Sequence, residues 1–326
     1  MLTAADYQGL YAILPTPSNP GANRLDAVNT VALDETARVV NRLVADGVSG
    51  LIILGTTGEC ATLSQADYEA FAGCVLETAA RRIPTIVGTT ALGGHEVVRR
   101  MKFARDNKAE GVLLGLPMWQ PVTTEMAVRY YSDLSKLFPE TAIMVYANAR
   151  AFRYNFPPEF WQALSREAPT VTSAKYSRAK NLVDLQASTN HRIHFMPNES
   201  TVQNFFADSQ KTTTSCWATA AAMGPEPALA MMDAVTRNDA AGVKALAADI
   251  AWAHETVKEI IGNPEIFALY NIQLEKIRID EAGYCRAGPI RPPYDFMPEN
   301  YIEGARECGR RWKKLCEKYS KAKAAA

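Results

Sequence analysis

Eight short apolar runs recur along the first two thirds of the chain, each followed by a stretch of helical periodicity. The runs span residues 10–14, 50–54, 84–87, 112–116, 142–146, 170–174, 193–196 and 212–217. Leu51-Ile52-Ile53-Leu54 and Val112-Leu113-Leu114 are near-continuous apolar segments, as strands buried on both faces of a parallel sheet must be. Apolar residues return at helical spacing in 34–46, 65–80, 96–108, 124–137, 158–166, 181–188, part of 202–208, and 226–236. Eight strands alternating with helices over about 230 residues predict an α/β fold, a (β/α)8 TIM barrel. The competing architecture, an open doubly wound sheet, advertises itself by a glycine-rich turn after the first strand. Here the first run leads into Pro15-Thr16-Pro17, with no GxGxxG.

From about Asn238 the texture changes, and 240–260, 264–282 and 298–319 read as three helices. Between the last two, Gly288-Pro289-Ile290-Arg291-Pro292-Pro293-Tyr294 reads as a rigid extended link. The tail 321–326 is expected to fray. The domain expectation is a catalytic barrel over 1–236 with a helical extension over 237–326 packed on it.

Charge narrows the function. The 326 residues carry 35 Lys plus Arg against 35 Asp plus Glu, so there is no general attraction for nucleic acid or an anionic membrane. No apolar stretch approaches the ~20 residues of a membrane helix, and the first residues do not read as a signal peptide. Cys60, Cys74, Cys216, Cys285, Cys308 and Cys316 form no CxxC pair and read as reduced thiols of a cytoplasmic protein. His95, His191, His194 and His254 show no HExxH and no cysteine at ligand spacing, so no metal site is expected.

In a barrel the chemistry sits where strands end. The second strand ends in Gly55-Thr56-Thr57-Gly58-Glu59-Cys60, where glycines allow a sharp turn and two hydroxyls with free amides suit a small carboxylate. A polar turn capping the next helix is the equal alternative. The fifth strand ends in Tyr146-Ala147-Asn148, where Tyr146 is either a proton carrier or a core aromatic. The sixth ends in Val171-Thr172-Ser173-Ala174-Lys175-Tyr176. A lysine aimed inward there, above small Ser173 and Val171, loses hydration, its ammonium pKa falls, and a nucleophilic amine results. The alternative is a lysine that snorkels to solvent. Trp119 and Trp217 follow the fourth and eighth strands and suit either an aromatic pocket or packing. Glu199, after the seventh, suits a catalytic acid or the first turn of a helix. Asn271 is a polar residue within a helix, and Arg306, Arg310, Arg311, Lys313 and Lys314 read as a solvated face.

Taken together, these residues resemble the N-acetylneuraminate lyase and dihydrodipicolinate synthase family of class I aldolases. Gly55-Thr56-Thr57-Gly58-Glu59 is similar to its GTTGE signature, and Tyr146 and Lys175 stand on the strands that hold its tyrosine and Schiff-base lysine. The chain departs from the core pattern at Tyr146-Ala147-Asn148-Ala149, Met118-Trp119 and Lys175-Tyr176. With Pro15-Thr16-Pro17-Ser18, Leu116-Pro117-Met118-Trp119 and Arg291-Pro292-Pro293-Tyr294, these departures resemble the hydratase-aldolase branch that serves aromatic hydrocarbon breakdown. The family's tyrosine pair after strand four is replaced, so its proton relay between subunits is not carried over.

The resemblance implies that Lys175 forms an iminium with an aryl-substituted unsaturated 2-oxo acid, that water adds at the benzylic carbon, and that Tyr146 takes the proton of the new hydroxyl as an aromatic aldehyde leaves. It implies that Thr56, Thr57 and Gly58 hold the 2-oxo acid carboxylate and that Asn148 positions the water or hydroxyl. Trp119 and Trp217 would flank the aryl ring, and Asn271 would join the substrate site. It further implies no metal or organic cofactor, small-molecule substrates, and a homotetramer. An ortho carboxylate on the ring would call for a cation, for which Arg153 and Lys180 are the candidates. Three other readings stay open: a class I aldolase for a non-aromatic aldehyde, a barrel that senses a keto acid without turnover, and a phosphate-handling barrel. The last would want a glycine-rich anion site near strands seven and eight, which Met196-Pro197-Asn198 and Cys216-Trp217-Ala218 do not offer.

Overall fold

The structure, a computed structural model, describes residues 1–209 and 212–325. Strands β1 (Gly9–Ile13), β2 (Gly50–Ile53), β3 (Thr85–Gly88), β4 (Gly111–Leu114), β5 (Ala142–Tyr146), β6 (Val171–Lys175), β7 (His194–Met196) and β8 (Ser215–Ala218) pair in parallel in the order β7-β6-β5-β4-β3-β2-β1-β8. A parallel bridge between Asn198 and Trp217 links the two ends of that row. There the Trp217 N–H donates to the Pro197 carbonyl at 2.9 Å and the Glu199 N–H to the Trp217 carbonyl at 3.1 Å, which closes the barrel.

Outside it run α1 (Leu33–Asp46), α2 (Gln65–Ala79), α3 (Gly94–Asp106), α4 (Thr124–Leu137), α5 (Ala149–Phe152), α6 (Pro158–Glu167), α7 (Leu182–Ser188), α8 (Val202–Asp208) and α9 (Glu226–Thr236). Helix α4 illustrates the local causes: the Thr123 hydroxyl caps it by accepting from the Met126 N–H, and Ala127, Val128, Tyr131 and Leu134 bury one face. The barrel interior is packed. A Cβ on Gly50 would lie 2.4 Å from the Tyr11 ring, so glycine there is what admits the aromatic. Tyr7 stacks on His194, whose Nε2 meets Ser215 Oγ at 2.7 Å.

Helices α10 (Ala240–His254), α11 (Lys258–Gly262), α12 (Pro264–Ala282) and α13 (Glu299–Ala325) follow the barrel. The single helix expected over 240–260 is therefore interrupted at Glu255–Val257, where Thr256 donates its hydroxyl to the Gly304 carbonyl and ties the chain to α13 instead. The link before α13 is not extended throughout: it turns at Arg291, whose carbonyl accepts from the Tyr294 N–H at 3.1 Å. Helix α13 runs on through 321–325 of the tail expected to fray, and Ala326 lies outside the described residues. The eighth strand begins at Ser215 rather than 212, because the Thr212 and Thr213 amides still bond back to the Ser209 carbonyl. The short α5 was not expected at all. Arg306, Arg310 and Arg311 pair with Glu303, Glu281 and Glu307 on and beside α13, as a solvated face does. No helix among the described residues is long and apolar enough to cross a membrane.

Candidate active site

Lys175 ends β6 directly beside Tyr146, its register partner on β5. Its Nζ lies 3.3 Å from the centroid of the Trp217 ring and 4.8 Å from that of Tyr146. The inward direction follows from alternation with Ser173, but not from Val171. A register shift pairs Ile143 with Val171 and then Met144 with Ser173, so Thr172 is an extra residue in the strand. Burial pulls the Lys175 ammonium below its ordinary pKa, against the opposing pull of Tyr146, Glu199 and Glu275. A larger share of free amine near neutral pH is the chemical result.

Tyr146 is buried, and its hydroxyl lies 2.8 Å from Thr56 Oγ1. Burial raises its pKa, but the Lys175 charge and hydrogen bonds from Thr56 and Asn148 outweigh it, and the phenol ends below its ordinary value. Asn148 is held for this contact because its Oδ1 caps α5, accepting from the Ala151 N–H at 3.2 Å, while Nδ2 faces the Tyr146 hydroxyl at 3.5 Å. Helix α5 thus owes its place to the same asparagine.

The loop after β2 is tightly wound. Leu54 and Glu59 take left-handed φ values of 58° and 57°, and a Cβ on Gly58 would lie 2.6 Å from the Leu54 nitrogen. Gly58 therefore shapes the loop rather than lining the cavity. Glu59 anchors it from beneath. Its buried carboxylate meets Arg291 Nη1 at 2.6 Å and Lys276 Nζ at 3.5 Å.

Thr56, Thr57, Tyr146, Asn148, Lys175, Trp217 and Asn271 all line one cavity of about 620 Å³ at the strands' C-terminal ends. Thr56, Tyr146 and Asn271 also border a chamber of about 160 Å³ walled by Met118, Phe152, Leu269, Ile272 and Tyr294. Trp119 is a correction: the residue is 78% exposed and lines neither space, and Met118 stands at the wall instead. Arg153 and Lys180 are also outside the lining, the former donating to the Met118 carbonyl, whereas Arg150 and Arg178 are within it. Asn271 Oδ1 and Trp217 Nε1 are buried without a partner, as groups awaiting a ligand or water are.

Sequence reasoning missed the inner wall of the cavity, formed by Glu275, Arg278 and His254. Arg278 grips Glu275 through Nε and Nη2 at 2.9 and 2.8 Å, one turn away on α12. A readable signal existed: opposite charges three apart, interleaved with Ile272, Leu274 and Ile279, on a helix otherwise turned inward. Glu199, left between two readings, sits in neither a helix nor a strand but in the turn before α8, buried and on the cavity wall. Among the described residues no cluster of His, Cys, Asp or Glu is arranged to hold a metal ion.

The model of the dihydrodipicolinate synthetase family matches residues 20–293. A trans-O-hydroxybenzylidenepyruvate hydratase-aldolase of Pseudomonas putida is 40% identical over 324 residues, covering 98% of this chain and 97% of that one. A trans-2'-carboxybenzalpyruvate hydratase-aldolase of Nocardioides sp. (strain KP7) is 35% identical over 98% of this chain and 96% of its own. Among solved structures, PhdJ bound to a substrate intermediate superposes with a TM-score of 0.93 at 32% identity, covering 98% of this chain and 99% of that one.

Proposed function

Since the chain belongs to the dihydrodipicolinate synthetase family, we propose that it is a carbon–carbon lyase, a hydratase-aldolase working through a Schiff base on Lys175. Its substrate is an aryl-substituted unsaturated 2-oxo acid of the benzylidenepyruvate type, and its products are an aromatic aldehyde and pyruvate. The free amine of Lys175 adds to the ketone, and loss of water leaves an iminium conjugated with the alkene. Conjugation makes the benzylic carbon electrophilic, and water adds there. Tyr146, its phenol held below its ordinary pKa, against the pull of burial, by the Lys175 charge and its hydrogen bonds, takes the proton from the new hydroxyl as the carbon–carbon bond breaks. The electrons of that bond move to the iminium nitrogen, giving an enamine that is protonated at C3 and hydrolysed to pyruvate. That nitrogen is the electron sink, so the scheme requires no metal or organic cofactor.

Thr56 and Thr57 would hold the carboxylate through hydroxyl and amide donors, with Gly58 setting the loop's shape. Asn148 and Asn271 would orient water and hydroxyl. The aryl ring would enter the chamber beyond Tyr146, walled by Met118 and Phe152, with Trp217 covering the nitrogen. The single observation that carries the reading is the Lys175 amine lying against the faces of Trp217 and of Tyr146, whose hydroxyl is bonded to Thr56. From the resemblance we also infer a catalytic unit over 1–236 with a packed helical extension over 237–326, a homotetramer, a role in aromatic catabolism and a cytoplasmic location.

Incubation with trans-benzylidenepyruvate tests the activity. The conjugated absorbance should fall while benzaldehyde and pyruvate appear in equal amounts, and the two products should condense in reverse. Condensation with aliphatic aldehydes alone would point to the non-aromatic aldolase. Pyruvate binding without any turnover would point to the sensor.

A further inference from the structure

The Schiff-base scheme needs two kinds of proton transfer at two different atoms. A base must take protons at the benzylic oxygen, once when water adds and once when the hydroxyl is cleaved. An acid must give protons to C3, once after hydration and once before pyruvate leaves. Tyr146 stands on the β5 side of Lys175. On the opposite, β7–β8 side stands a second ionisable group that the scheme leaves idle.

We propose that Glu199 is the acid that protonates C3 of the enamine held on Lys175, an inference that rests on the Schiff-base reading. The geometry carries it. Glu199 is buried and lines the same cavity as Lys175. It follows Met196, the β7 register partner of Lys175, by three residues. Its backbone N–H is fixed on the Trp217 carbonyl at 3.1 Å, and the Trp217 ring carries the Lys175 amine on its face. Asn198 Nδ2 donates to one of its carboxyl oxygens, Oε2. A buried ionised carboxylate is normally paired with an opposite charge. The nearby guanidinium of Arg278 instead turns its Nε and Nη2 to Glu275 and its Nη1 to Cys308 Sγ at 3.9 Å.

The charged and titratable groups around Glu199 come from every wall: Lys175 on β6, Cys216 on β8, Glu275 and Arg278 on α12, and beyond them His254 on α10. Burial, the largest influence, raises its pKa to about 7, helped by Glu275 and opposed by Arg278 and Lys175. Tyr146 is shifted the other way. Two groups pushed in opposite directions on either side of a reacting centre is the pattern of an acid and a base with separate tasks.

The protons balance over one turnover. Water adds its oxygen to the benzylic carbon and gives a proton to the Tyr146 phenolate, while the alkene electrons move through C2 to the nitrogen. The enamine takes the Glu199 proton at C3, restoring the iminium and leaving a carboxylate. Cavity water returns the proton from Tyr146 to Glu199. Cleavage repeats the sequence: Tyr146 takes the hydroxyl proton, the aldehyde leaves, and Glu199 protonates the pyruvyl enamine.

Pyruvate alone suffices for the test, because exchange of its C3 hydrogens in deuterium oxide runs through the same enamine and needs no aldehyde. With Glu199→Gln, reduction by borohydride should still give the pyruvyl adduct, while C3 exchange should fall about 100-fold or more. Glu199→Asp should recover part of the rate. Wild-type exchange should also show an ionisation near pH 7 that the glutamine variant lacks. Wild-type exchange rates in a Glu199→Gln variant that forms the adduct would overturn the proposal. So would a wild-type profile flat from pH 6 to 8, which needs no variant to fold. If the wild-type protein itself gives no adduct, the Schiff-base reading fails, and this assignment falls with it.

Discussion

At the scale of single residues the site depends on what surrounds two side chains. Lys175 and Tyr146 are ordinary residue types whose charge states are displaced by each other and by burial. A Tyr146→Phe variant keeps the amine and its Trp217 wall, so pyruvate adduct formation should persist. Cleavage of the aryl substrate should fall by about 10²- to 10⁴-fold, the usual worth of one acid–base group. Single-turnover cleavage set against adduct trapping checks it; equal loss of both would mean that Tyr146 serves imine formation instead. Lys175 was legible because a lysine at the end of a buried strand is expensive to place. Glu275 and Arg278 were legible only as an opposite-charge pair three apart on α12, which does not say that the helix turns them toward the barrel mouth, and His254, a lone polar residue ending α10, gave no signal. Trp119 misled for the converse reason: an aromatic after a strand suggests a pocket wall, yet the chain turns its ring outward and leaves Met118 at the wall.

At the scale of elements, β2 and β4 could be read from apolar continuity, whereas β6 and β8, which bury Thr172, Ser173 and Ser215, could be read only from their place in the strand–helix alternation. Boundaries failed where side chains bond across the chain rather than along it. Thr256 ties to Gly304 and interrupts a helix with uninterrupted apolar periodicity. Asn148 starts α5, a helix too short to show a period. The loop after β2 depends on a link about 230 residues further on, by the sequence numbers of Glu59 and Arg291. Arg291 also donates to Thr30 Oγ1 and to the carbonyls of Thr16 and Thr30. Arg291→Leu strips those bonds and leaves Glu59 with Lys276 alone. Removing one partner of such a buried pair costs about 3–5 kcal/mol. Chemical denaturation should show that loss, and the Michaelis constant for pyruvate should rise as the threonine loop slackens. A loss under 1 kcal/mol would remove the anchor from the account.

At the scale of the whole molecule, the barrel and its C-terminal helices share one site, since α12 brings Asn271, Glu275 and Arg278 to strands from the other end of the chain. The fold also stores an acid sensitivity. Burial lowers His194 to about 4 and His254 to about 3, against 6.5 for each in the unfolded chain. Below pH 6.5 the unfolded chain takes up protons that the fold refuses, so this stability is complete above 6.5 and drains as pH falls. Each imidazole contributes at most about 1.4 kcal/mol per pH unit. Glu199 works the other way between 4.5 and about 7, where the folded chain keeps a proton that the unfolded chain releases. Thermal unfolding should therefore shift down from pH 6.5 to 5, and more steeply in Glu199→Gln. A variant with the wild-type slope would show that Glu199 is ionised in the fold across that range.

The central claim is a covalent bond to one nitrogen. Pyruvate, borohydride and intact-mass spectrometry with peptide mapping test it directly. One reduced pyruvyl group per chain, on Lys175 and absent from Lys175→Ala, is the expected result. A folded protein that binds pyruvate and gains no mass, or gains it on another lysine, would contradict the account.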